Sequence, residues 1–157
     1  MQPFPTLTTT MPHLDTLLGG GIPRGATALI VGVPGSGKTT LACQIIFDLV
    51  EAGKKALIFT TLSESTGSLI AHLRSYPFFR DEHLGGALQV LSLRQFLTGD
   101  LATAQTDIVQ IARRHQADVI LLDRMHSLMT SRPPPTRHAN SFTLSAPTSR
   151  PAGSRPS

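Results

Sequence analysis

The stretch Gly32-Val33-Pro34-Gly35-Ser36-Gly37-Lys38-Thr39-Thr40 constrains this chain more than any other, because it satisfies G-x-x-x-x-G-K-[ST] between two differently patterned apolar segments. Upstream, Ala26 to Val31 is short, apolar and closed by Gly32, the pattern of a buried parallel strand. Downstream, Leu41, Ile45, Ile46, Leu49 and Val50 recur at helical spacing. Strand, loop and helix in that order predict a phosphate-binding loop. A triphosphate must be wrapped by backbone N–H groups at close range, and side chains at positions 35 and 37 would obstruct that approach. Lys38 then sets a point charge against the β- and γ-phosphates, Thr39 offers its hydroxyl to Mg²⁺, and the helix aims its positive N-terminal end at the anion. The plainer reading of these residues is a Gly-rich turn that caps a helix.

Around this motif the pattern is α/β. His13 to Leu18 predicts a short helix stopped by Gly19-Gly20-Gly21, after a Pro- and Thr-rich start expected to be loose. The helix from Lys38 is predicted to end near Ala52 with Gly53 as its cap, and Ala56 to Phe59 gives the next strand, completing a βαβ unit. Ser65 to Tyr76 predicts a helix broken at Pro77, with His72 as a solvated surface residue. Phe78-Phe79 reads either as a packing anchor or as a subunit contact. Ala87 to Leu93 is a third strand, Ala102 to His115 a helix, and Ala117 to Asp123 a fourth strand ending in an acid. The single cysteine, Cys43, allows no internal disulfide and reads as a small packed side chain, which fits a reducing compartment. No apolar run approaches the length of a membrane span, so a soluble cytoplasmic protein is expected.

LDTLLGGGIPRG, a strand, GVPGSGKTTLACQ and a helix together resemble the opening of KaiC-like ATPases of the RecA superfamily, and the likeness runs from about Thr10 to Thr130. The resemblance implies a RecA-like three-layer P-loop fold with a mostly parallel sheet, binding ATP and Mg²⁺. Asp123 ends a strand of Walker B pattern, so the resemblance gives it a Mg²⁺-holding role together with Thr39. KaiC-like proteins typically carry a tandem Glu pair after the second strand. Here Ser63 precedes Glu64, so Glu64 alone is the water-activating candidate, and a Glu beside Ser63 and Ser65 at a helix start is equally what capping and the helix dipole predict. Arg124 stands where relatives usually have a small residue, and His126 reads as an ordinary loop histidine. Relatives also insert the strand after Walker B between it and the P-loop strand. No strand pattern follows Thr130, so the C-terminal half of the fold is expected to be missing, with the sheet gapped or closed directly.

Composition matters most at the C-terminus. The chain carries 14 Lys/Arg against 10 Asp/Glu, and Arg132, Arg137, Arg150 and Arg155 account for the whole excess. Residues 1–131 thus form the partial ATPase domain, and 132–157 a Pro/Arg/Ser-rich tail expected to be disordered. That tail reads as a weak, sequence-blind nucleic-acid arm, a Pro-rich ligand, or the product of out-of-frame reading. The leading expectation is an ATP-binding, KaiC/RecA-like P-loop ATPase with impaired hydrolysis and a doubtful homo-hexamer. The alternatives are a non-hydrolysing nucleotide-binding regulatory module and a DNA recombination or repair ATPase; the motifs do not separate hydrolysis from phosphoryl transfer to a Ser/Thr side chain.

Overall fold

Strands β4 (Ala56–Thr60), β5 (Leu88–Ser92) and β6 (Val119–Asp123) pair in parallel, with Ala56 opposite both Leu88 and Val119. The computed structural model of the protein describes residues 5–60, 65–96, 101–123 and 140–145. β4 is buried along its whole length, which is why it reads as an unbroken apolar run rather than an alternating one. Its residues nevertheless split by face. Ala56 and Ile58 join a core with Cys43, Ile46, Phe47, Leu69 and Leu73, whereas Leu57 and Phe59 join a second core with Ala112, Ala117 and Ile120. Helices α2 (Lys38–Glu51) and α3 (Thr66–Leu73) supply the first core and α4 (Leu101–His115) the second, so the sheet is the middle of three layers.

The P-loop strand is β3 (Thr27–Gly32), and it does not touch β6 directly. The five-stranded order is β3-β7-β6-β4-β5, with β7 (Asn140–Ser145) antiparallel to both neighbours. This corrects the expectation that no strand follows Thr130 and that the sheet closes directly or keeps a gap. Two apolar positions, Phe142 and Leu144, set in an S/T/N-rich stretch give little strand signal. Position supplies what pattern does not: a central slot between two strands with unsatisfied backbone groups recruits any extended segment able to pair on both sides.

β3 presents Ala28 and Ile30 to the core around α2 and turns Leu29 and Val31 the other way, where they are 58% and 57% exposed. Two short strands, β1 (Thr6–Leu7) and β2 (Ile22–Pro23), pair antiparallel beside this body and bury Leu7 and Ile22. The start of the chain is therefore tied down rather than loose from Thr6 onward. Thr9 is fully buried, its N–H and Oγ1 both donating to Asp15 Oδ1 at 2.7 and 2.8 Å, which fixes α1 (Pro12–Leu17) against it. Among the described residues, no helix is long and apolar enough to cross a membrane.

Candidate functional site

At Gly32 the chain leaves β3 and turns through Val33 to Gly37 before α2 begins at Lys38. The turn closes with Ser36 N–H donating to Val33 O at 3.2 Å, and Gly35 and Gly37 take φ of +78° and +80°, values that L side chains rarely adopt. A Cβ built at either position meets nothing within 4 Å. The glycines are thus demanded by backbone conformation, and the space beside them is open to a ligand. Gly37 is the N-cap of α2 and contributes no side-chain cap bond. A helix of 14 residues therefore starts with its first N–H groups uncapped by its own N-cap residue, at the end where the helix dipole favours negative charge.

Lys38 is only 7% exposed, and its ammonium is turned back onto the loop, donating to Val33 O at 2.6 Å and to Ser36 Oγ at 3.2 Å. Both of these bonds go to neutral oxygens of the loop, whereas phosphate oxygens would offer the ammonium charge-assisted ones. Thr39 and Thr40 are both half-buried on the first turn of α2. Thr40 Oγ1 donates to Tyr76 Oη at 3.4 Å. That partner is not visible in the sequence, because Tyr76 falls just beyond α3, 36 positions away; its being the one tyrosine of the chain is the only signal available.

Asp123 ends β6 with 2% exposure. Registers through β7 place it on the same sheet edge as the loop: Asp123 and Ile30 both face Phe142, while Gly32 faces Asn140. One strand separates β6 from β3, so the two backbones run roughly 10 Å apart. Among the described residues no group of three or more His, Cys, Asp or Glu could hold a metal alone. A single carboxylate with one threonine hydroxyl is nonetheless a fitting set for Mg²⁺, a hard cation that usually keeps waters and takes its remaining ligands from phosphate oxygens.

Glu64 lies outside the described residues, as do Ser63, Arg124 and His126. The capping half of the Glu64 question falls to its neighbour: Ser65 is the N-cap of α3, its Oγ accepting from Ser68 N–H at 3.1 Å. Phe78 and Phe79 pack on Phe47 of α2 with ring centroids 5.8 and 5.1 Å away, the packing-anchor reading.

A family model described as "ATPase: KaiC" matches residues 7–139. The chain is 28% identical over 130 residues to the DNA repair protein RadA of Pseudomonas aeruginosa, covering 83% of this chain and 25% of that one. It is 33% identical over 116 residues to the protein RecA of Gloeobacter violaceus, covering 74% of this chain and 28% of RecA. Over 52 residues it is 44% identical to the DNA repair and recombination protein RadB of Methanosphaera stadtmanae, covering 33% of this chain and 22% of RadB. The chain thus spans about a quarter of the length of the curated relatives it matches.

Proposed function

Since the chain belongs to the KaiC ATPase family and carries a RecA-superfamily P-loop ATPase domain, we propose that residues 32–40 are its Walker A loop and bind Mg-ATP. The observation that carries this reading is the start of α2 at a glycine N-cap, beside a buried Lys38 whose ammonium donates to loop oxygens. Open glycines at 35 and 37 admit the phosphates to backbone N–H groups, Lys38 exchanges Val33 O for β/γ-oxygens, and Thr39 with Asp123 would hold Mg²⁺. The cation, once bound, neutralises charge on the β- and γ-phosphates. Glu64 orients or deprotonates the attacking water. With Ser63 in place of a first Glu, turnover is slow, so this domain acts more as a nucleotide-responsive module than as a fast hydrolase. The protein is read as cytoplasmic, with Cys43 a buried side chain of the core beneath α2.

A second reading is a DNA repair ATPase, favoured by the names of the relatives RadA, RadB and RecA. In it the four tail arginines supply a weak, salt-sensitive contact to nucleic acid. Hydrolysis measured with and without DNA separates the two readings. The phosphate site itself is tested by thermal unfolding. Mg-ATP at one hundred times its Kd should add about 2.7 kcal/mol of stability to the wild type, and Lys38→Ala should lose most of it. Equal shifts for both proteins would end the assignment.

A further inference from the structure

The connections that enter β3, β4 and β6 lie at the sheet edge opposite the P-loop, and all three, 24–26, 52–55 and 116–118, fall within the described residues. β7 ends at the same edge, since Ser145 stands opposite both Thr27 and Ile120. Residues 1–131 balance in charge overall, but not here. Arg24 precedes β3, Lys54-Lys55 precedes β4, and Arg113-Arg114 closes α4 just before β6. All are exposed except Lys54, which is half-buried, and among the described residues none is in an ion pair. The chain beyond Ser145 adds Arg150 and Arg155 and no acid. The loops before β4 and β6 are fastened to each other: Asp118 N–H donates to Lys55 O at 2.8 Å, Lys55 N–H to Asp118 Oδ2 at 3.0 Å, and Lys55 Nζ to Gln116 Oε1 at 3.2 Å. Gln116 takes a φ of +57°, and with its N–H on Arg113 O and Ala117 N–H on Ala112 O the end of α4 is held next to Lys55. The acids nearby are engaged, Asp118 by Lys55 N–H and Glu51 by His83. Asp81 and Glu82 belong to the segment before β5, the outermost strand, where Asp81 pairs with Arg74.

Helix dipoles account for only part of this row. Arg113 and Arg114 suit the negative C-terminal end of α4, but the last turn of α2 holds no basic residue and Arg24 follows a strand. We infer that the row is a docking edge for double-stranded DNA, held through its phosphates. β3, β7, β6 and β4 are consecutive in the sheet, so the row crosses three strand spacings, roughly 14 Å. A duplex carries one negative charge per about 1.7 Å of axis, and a row of this length faces several phosphates at once. A protein partner calls for aromatic or apolar anchors, yet 24–26, 52–55 and 116–118 contain no aromatic residue and no apolar one larger than alanine. The same lack of rings removes the stacking platform that single strands need. What is left is a duplex backbone, gripped without regard to sequence. Strands of this length, about 17–20 Å, separate the row from the loop at 32–40, so the inference stands apart from the phosphate-site reading. It gives nucleic acid to the folded body rather than to the tail alone.

Fluorescence anisotropy of a labelled duplex of about 20 base pairs, titrated with the full chain between about 50 and 200 mM NaCl, is the test. With the five body cations on phosphates, log K should fall with log salt at a slope of about −4.5. Arg113→Gln with Arg114→Gln, and Lys54→Gln with Lys55→Gln, should each weaken binding by about tenfold or more and flatten the slope by about 2. Arg113→Lys with Arg114→Lys should keep the slope. Arg150→Gln with Arg155→Gln should leave the greater part of the affinity, and a duplex of unrelated sequence should bind alike. Urea midpoints equal to wild type show that each variant is folded. No binding by wild type at about 50 mM NaCl, unchanged slopes in both glutamine pairs of the body, or loss of all binding in the tail pair would overturn the inference. Polyglutamate or anionic lipid vesicles displacing the duplex at equal charge would overturn it as well, in favour of an acidic protein or a membrane.

Discussion

Phe47→Ala should be among the most damaging single substitutions in this chain, and the structure sets its size. The ring is 2% exposed in the core under α2 and touches two further rings, Phe78 at 5.8 Å and Phe79 at 5.1 Å, both tilted by nearly 50°. Truncating a buried Phe costs about 3–5 kcal/mol through lost transfer energy and the cavity left behind. Two aromatic pairs, each worth about 0.5–1.5 kcal/mol beyond burial, push the expectation to the upper end, about 4–5 kcal/mol. Native domains have roughly 5–15 kcal/mol in total, so the variant should sit near its unfolding transition in plain buffer. Phe47→Leu keeps most of the volume and should cost about 1–2 kcal/mol. Equilibrium urea unfolding followed by far-UV circular dichroism measures both, and Mg-ATP at one hundred times Kd should return about 2.7 kcal/mol to either variant. A Phe47→Ala loss below about 1.5 kcal/mol with an unchanged denaturant slope would refute the reasoning, since the ring cluster would then not be what locks the post-α3 segment to α2.

Three other outcomes follow from single contacts. Gly21→Ala should destabilise by about 1–3 kcal/mol in the same urea assay, because at φ +122° its Cβ would lie 2.5 Å from the carbonyl oxygen of Leu7, a backbone atom that cannot swing aside; a neutral result would show that β1 shifts freely. Burial raises the Asp48 carboxyl above its ordinary 3.8, with a Thr10 hydrogen bond opposing and Glu51 adding repulsion. A raised folded-state value favours folding fully below pH 3.8 and loses that contribution as pH rises through it, so Asp48→Asn should gain on wild type at pH 7 and lose the advantage below pH 3.8, as urea midpoints at the two pH values would reveal. Leu29→Thr with Val31→Thr should change stability by less than about 0.5 kcal/mol, both sites being more than half exposed, yet slow light-scattering growth on storage, because the substitution thins an apolar strip on an edge strand; undiminished scattering would acquit that strip.

Where an element carries its own periodicity the sequence was enough. α2 starts at Lys38 and stops at Glu51 because Gly37 opens it and apolar spacing runs out there, and β4 and β6 are visible as short apolar runs flanked by polar residues. The turn at 32–40 was legible because the glycines that its positive φ at 35 and 37 requires fall within nine consecutive residues. What stayed hidden depends on partners distant in the chain. Thr6–Leu7 has no strand signal without Ile22–Pro23 to pair with. β7 has none without two strands waiting on either side. The Thr40–Tyr76–His72 grouping exists only because Phe78 and Phe79 pull the post-α3 segment onto α2.

The place of β7 also dictates an order of events as the chain folds. Among the described residues β3 is hydrogen-bonded into the large sheet through β7 alone, so pairs such as Ala28 with Leu144 must close a loop that contains β4, β5 and β6. Closure entropy rises only slowly with loop length, about 0.6 kcal/mol per doubling, but search time grows with such non-local pairing. β4, β5 and β6 with α4 can assemble from nearer neighbours while the chain is still being made. The P-loop strand, although synthesised early, has to wait for residues 140–145 to emerge before its ladder can form. The loop at 32–40 is therefore synthesised long before the segment that fastens its strand, and a chaperone or protease patrolling nascent chains would meet the backbone edge of β3 unpaired in between.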